Sequence, residues 1–273
     1  MQSMKEGVPM IKNLETRDVI PETGSNLPDY NMYVMSPRER IMYILLAAVV
    51  IYIVSFIFYQ SLFISLAASF LALLYPKIRT KEIIEKRKNE LNLQFKDMLY
   101  SLSSSLSAGK SVESSFKEVL KDLSIIYPDR NAFIIKEVEY IVRRIEMNET
   151  VEAALEDFAF RSHLEDIENF VDVFKTSKRA GGNIVEIIKN TSNIITDKIE
   201  VKEEIDTLLS ARKFEQKVLT LMPVFLILFL SASSSEYMYP IFNTLAGRFV
   251  MTVALILIAA AYFISKKIMN IKI

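Results

Sequence analysis

The sequence predicts an all-α membrane protein: two transmembrane helical hairpins flanking a cytoplasmic antiparallel helical bundle of about six helices. Three observations predict this class. Apolar residues are bunched towards the two ends, while charged residues crowd the middle. Lys and Arg gather on one side of each apolar stretch. Nowhere does the chain alternate apolar and polar residues for long, as a half-buried strand would.

Taken in order, residues 1–36 are polar, with Pro9, Pro21, Gly24 and Pro28 scattered through them. They read as a disordered cytoplasmic tail. They are not a signal peptide, because no apolar core lies near Met1.

Residues 37–76 form the first hairpin. IMYILLAAVVIYIVSFIFY runs uncharged from Ile41 to Tyr59, Gln60 and Ser61 interrupt, and LFISLAASFLALLY continues to Tyr75 before Pro76. One straight helix over residues 41–75 would run about 50 Å, too long for a hydrocarbon core of about 30 Å. Two short spans fit better than one. Tyr59 and Tyr75 suit the interface.

Residues 77–216 read as helix nearly throughout, with apolar residues at helical spacing. Leu91, Phe95, Met98, Leu99, Leu102 and Leu106 make one face of a first helix. Ala108-Gly109 ends it, and Ser111 can cap the next. Val112, Phe116, Val119, Leu120 and Leu123 line the second helix, and Tyr127-Pro128 breaks it. Ile134, Ile135, Val138, Ile141, Val142 and Ile145 stripe the third. Val151, Ala154, Leu155 and Phe158 point inward from a short fourth. Ser162 and Glu165 have capping-box spacing, opening a fifth helix with Leu164, Ile167, Phe170, Val171 and Phe174. Gly181-Gly182 stops it, and Asn183 caps a long sixth helix. There Ile187, Ile194, Val201 and Leu208 recur every seven residues, and Ile184, Ile188, Ile195, Ile205 and Leu209 widen that stripe, which suits packing against other helices. No Pro or Gly occurs between Asn183 and Met222, so this helix is expected to run on into the third span.

Residues 217–265 form the second hairpin. One span covers Leu219 to Ser234, with Pro223 tolerated inside it. SEYMYPIFNTLAGR reads as an interfacial turn, and Phe249 to Ile264 make the fourth span. Residues 266–273 are a basic tail. Arg38, Arg40, Lys77, Arg79, Lys81, Arg212, Lys213, Lys217, Lys266, Lys267 and Lys272 all flank the spans on one side. That side is expected to be the cytoplasm, holding both termini and the bundle.

Composition excludes several function classes. Lys and Arg total 33 against 33 Asp and Glu, so the charge case for a nucleic-acid partner is missing. The absence of Cys removes thiolate metal sites and cysteine nucleophiles, and the single His163 cannot build an imidazole cage. Neither a cofactor nor a metal is expected. Gly109-Lys110-Ser111 imitates a phosphate loop, but Ser104 stands where its first glycine belongs and a helix precedes it. Ser162 and His163 are adjacent at a helix start, where neighbouring residues at a cap point apart, so no catalytic pair is expected. The spans carry no Asp, Glu, Lys, Arg or His, which disfavours ion-coupled transport. Glu165, Asp166, Glu168 and Asp172 form an acidic patch, either a solvated face or a docking surface for a basic partner. Lys175, Lys178 and Arg179 complement the dipole at the end of the same helix.

Three segments carry a resemblance: Phe95–Leu123 with its helix–Ala-Gly–helix turn, Asn148–Ile195 with its Gly-Gly break, and the terminal Ile264–Ile273. Together with the four-span layout, covering roughly residues 41–273, the chain resembles the type II secretion system F-domain family. Within it, the chain looks like the TadB-like inner-membrane platform of Tad/Flp pili. The resemblance implies a non-enzymatic, multi-pass platform in the inner membrane. The partners it implies are a hexameric secretion ATPase, a paralogous TadC-like platform protein, prepilin subunits and membrane lipid, in a homo- or hetero-oligomer. Ala108, Gly109, Gly181 and Gly182 match the family's structural turns. The alternative is a membrane sensor or receptor signalling through its helical domain. The short outer tips weaken that alternative.

Overall fold

The computed structural model describes residues 27–181 and 183–269. Among them the protein is all-helical, without strands. Ten α-helices follow in order: α1 (Pro37–Tyr59), α2 (Leu62–Ser69), α3 (Tyr75–Ser107), α4 (Val112–Ile126), α5 (Phe133–Glu146), α6 (Val151–Ser162), α7 (Glu165–Ala180), α8 (Ile184–Ser233), α9 (Ser235–Asn243) and α10 (Leu245–Met269). A 3-10 turn, Phe70–Leu74, joins α2 to α3. Four helical runs are long and apolar enough to cross a membrane: α1, residues 62–107, α8 and α10.

The main core lies between α3, α4, α5, α6, α7 and the first part of α8. Phe95, Phe158 and Phe170 meet edge-on at its centre, with ring centroids 5.6–6.0 Å apart. Full burial of such a side chain contributes about 1.5–3 kcal/mol, so each helix is held by tertiary packing more than by its own propensity. The helix starts are satisfied locally. Ser111, Thr150 and Asn183 accept from the amides of Ser114, Ala153 and Glu186. Helix α5 has no such cap. Instead the buried Gln94 carboxamide of α3 accepts from the Ile134 amide at 3.0 Å.

Several elements differ from the sequence expectation. Of the expected tail 1–36, residues 27–36 lie against the bundle, because Tyr30 buries its ring there and Tyr33 packs beneath Arg87. Residues 1–26 lie outside the described residues. Pro76 does not close the second apolar run. It sits in the first turn of α3, where a missing N–H costs nothing, and the chain continues as helix into the bundle. The segment read as an interfacial turn is the short helix α9. Its Met238 and Phe242, one turn apart, pack with Phe58 and Met251 in a second cluster. Ser162 does not open α7. It ends α6, and Leu164 stands at the N-cap without a side-chain bond, so the spaced Ser162 and Glu165 form no capping box. The seven-residue row of α8 does not face the core either. Ile188, Ile195 and Ile199 are buried, whereas Ile194, Val201 and Leu208 are exposed.

Helix α8 runs 50 residues without a break, about 75 Å, from the bundle through the third apolar stretch, with Pro223 inside it. At the far end from the bundle, Gln60 turns α1 back with φ 44 and donates its amide to Ser231 Oγ at 2.6 Å. Tyr59 and Thr252 share a hydroxyl hydrogen bond of 2.8 Å nearby. These bonds tie α1 to α8 and α10 at that end.

Candidate functional site

The acidic patch is divided by the fold. Asp166 is half-buried and committed: one carboxylate oxygen accepts from Lys198 of α8 and the other from Asn92 of α3, both at 2.9 Å. Glu165, Glu168 and Asp172 remain exposed on α7. Lys178 and Arg179 lie in the last turn of α7, as expected of cations near a helix C-terminus, and Lys175 and Lys178 also pair with Glu156 and Glu152 of α6. The glycine turns are conformational. Ala108 ends α3, and Gly109 (φ 83) and Gly181 (φ 70) take the left-handed region that a β-carbon disfavours. Gly182 lies outside the described residues.

The phosphate-loop look-alike is used up by its own turn. Ser111 caps α4, and Lys110 pairs with Glu118 at 3.3 Å. Nor do Ser162 and His163 converge. Ser162 Oγ donates to the Ala159 carbonyl at 2.8 Å, while His163, at φ 48, turns its Nε2 towards the Asp29 carboxylate at 3.3 Å. Among the described residues no cluster of His, Asp and Glu could hold a metal ion.

Sequence reasoning missed the most concentrated polar feature. Arg161 of α6 and Glu137 of α5 are both fully buried and meet through two parallel hydrogen bonds, 2.6 and 2.7 Å. Arg161 Nε also donates to Asp157 at 2.9 Å, and the guanidinium lies 5.6 Å from the Tyr140 ring centroid. Tyr30 completes the group. Its hydroxyl donates to Glu137 at 2.8 Å, its amide donates to the Arg161 carbonyl at 3.0 Å, and its ring meets Phe133 edge-on at 5.5 Å. The segment 27–36 is thereby strapped across α5 and α6.

Burial pushes the Glu137 carboxyl above its usual range, and the Arg161 fork and Tyr30 hydroxyl oppose the rise. Burial would lower Arg161, but the hydrogen bonds and charge of Glu137 outweigh it and hold the guanidinium above its ordinary value. A guanidinium keeps its proton in a protein, so the fork holds Glu137 as carboxylate. Tyr30 is raised by burial first and by the Glu137 charge second. This closed, satisfied network has no open position for a substrate. Its chemistry is structural.

A signal for it was present. Glu137 sits beside Val138 and between Ile134 and Ile141, and Arg161 follows Phe158 by three residues. Both charged residues therefore occupy the apolar phase of their helices, which places them inside and requires a partner.

Residues 98–232 match the family model described as Type II secretion system (T2SS), protein F. The matched stretch takes in the end of α3, all of α4 to α7 and nearly all of α8, and it supports the T2SS F-domain family. No curated protein and no solved structure matches the chain.

Proposed function

Taking residues 98–232 as a T2SS F domain, we propose that the protein is a non-enzymatic inner-membrane platform of a Tad-type pilus machine. It couples a cytoplasmic hexameric secretion ATPase to the assembly of prepilin subunits. Proteins of the family are membrane platforms that generally work with secretion ATPases and paralogous platform proteins. In this reading residues 77–216 form the cytoplasmic domain, residues 37–76 and 217–265 form the two hairpins, and both termini are cytoplasmic. Glu165, Glu168 and Asp172 offer a docking face to a basic partner.

One observation carries the mechanism. The unbroken α8 belongs both to the bundle core and to the third apolar stretch. A displacement of the bundle therefore reaches the lipid-embedded helices through one rod rather than through a loop. Inserting Gly-Pro-Gly after Lys213 breaks the rod without touching the bundle core. The expected result is a chain that still co-purifies with the ATPase but assembles no fibre. Normal fibre assembly by this variant overturns the coupling. Topology has its own test, because the native chain lacks Cys. A cysteine placed at Lys110 should react with a membrane-impermeant maleimide only in lysed cells. Labelling in intact cells through the outer face would refute the cytoplasmic placement.

A further inference from the structure

The outer face of α8 carries two parallel rows. Ile194, Val201 and Leu208 are 66%, 48% and 70% exposed. Each lies one heptad from the next, so they form a ridge nearly in line with the helix axis. Three residues further along each repeat lie Asp197 and Glu204, with Glu200 beside them, all exposed. The opposite flank is basic but occupied: Lys198 pairs with Asp166 and Lys202 donates to Asn89, both at 2.9 Å. The surface therefore offers an apolar ridge bounded by carboxylates that have no ion-pair partner among the described residues.

We infer that this face docks an amphipathic helix of a cytosolic partner whose apolar stripe is flanked by Lys or Arg. Charge selects that occupant over a second copy of the chain. An antiparallel copy sets the acidic row against itself, and a parallel copy sets it against lysines already engaged within the bundle. A lipid surface is disfavoured too, since acidic side chains repel anionic headgroups. The ridge ends at Leu208, short of Arg212, Lys213 and Lys217, which suits a partner in the cytosol rather than in the bilayer. The inference rests on the platform reading only in placing α8's first half in the cytoplasm.

The test uses the full chain in its native cells, with the photo-crosslinking residue benzoyl-phenylalanine at Val201 and, as control, at Glu203 on another side of the helix. The crosslinked peptide is sequenced. The expected adduct joins Val201 to a peptide of another protein bearing Lys or Arg three or four residues from the crosslinked position. Asp197→Lys with Glu204→Lys should cut its yield at least tenfold. The milder Asp197→Asn with Glu204→Gln, which keeps side-chain shape, should cut it severalfold. An adduct with this chain's own peptides, with lipid or with a peptide lacking basic residues overturns the inference. So does a yield no greater than at Glu203, or one indifferent to both charge variants. The two readings fail separately. A basic-helix adduct with a protein unconnected to secretion keeps the surface and sinks the platform. A retained ATPase without a Val201 adduct does the reverse.

Discussion

Replacing Glu137 with Leu strands the Arg161 guanidinium, which is fully buried and loses two hydrogen bonds of 2.6 and 2.7 Å. Breaking a buried ion pair from one side costs about 3–5 kcal/mol, because the surviving charge has lost both water and partner. Asp157 still accepts from Arg161 Nε at 2.9 Å, which places the cost near the low end, about 3 kcal/mol. The Arg161→Met change is expected to be milder and dependent on pH. The orphaned Glu137 can take up a proton, and burial already raises its carboxyl. A carboxyl whose folded pKa is raised penalises the native state progressively as pH climbs above the unfolded value of about 4.3. Arg161→Met should therefore be more stable at pH 5 than at pH 8, whereas Glu137→Leu should show no such recovery. The double variant removes both charges and should regain most of the loss.

The assay is hydrogen exchange with mass spectrometry on the full chain in lipid nanodiscs, read on peptides of α5 and α6. A loss of 3 kcal/mol corresponds to exchange faster by about 100-fold. The reasoning is refuted if Glu137→Leu speeds exchange less than about fivefold, equivalent to about 1 kcal/mol. It is refuted equally if the double variant is no more protected than the single one.

Other expectations follow from the same structure. Tyr30→Phe keeps the ring against Phe133 but removes the hydroxyl from Glu137, so it should cost about 1 kcal/mol and loosen residues 27–36 in limited proteolysis. Because Tyr30 is raised in the folded state, its contribution is complete below the unfolded value of about 10 and drains away as pH rises. Wild-type protection should fall faster with alkaline pH than that of Tyr30→Phe. Asp166→Asn should cost about 0.5–1 kcal/mol by losing Lys198, while Glu168→Gln on the same helix should stay within about 0.5 kcal/mol of zero. Thermal melts separate the two. A β-carbon at Gly247 would sit 2.6 Å from Ile241 Cα. Gly247→Ala should therefore force α9 and α10 apart, seen as faster exchange around Met238 and Phe242.

Much of this fold was legible because one physical signal, apolar spacing, was strong. Leu91, Phe95, Met98, Leu99 and Leu102, chosen from their period alone, are all fully buried. The Ala108-Gly109 turn and the caps at Ser111 and Asn183 were readable because only certain residues suit left-handed backbone or accept from orphan amides. Phase was less legible than period. Ile194 and Ile195 both belong to the wide stripe read from the sequence, and its width does not reveal which of the two faces inward. Tertiary packing chose Ile195. The strap of residues 27–36 was invisible because its anchor is one tyrosine reaching a carboxylate 107 positions away, with no periodic pattern around it. Asp166 looked like its neighbours Glu165 and Glu168, and only Lys198 and Asn92 from other helices set it apart. The acidic patch thus mixed an internal tie with free surface.

An uninterrupted α8 also restricts how the protein can change length. Each residue inserted between the bundle and the third apolar stretch turns everything beyond it by about 100° and lifts it by about 1.5 Å. A single insertion near Ser210 would aim Leu219 and its neighbours at the wrong side of α10. Seven inserted residues would restore the heading to within about 20°. Related chains should therefore differ here by insertions that restore the heading, such as about seven, eleven or eighteen residues, or not at all, since rotational phase, rather than any individual side chain, is what this stretch has to preserve.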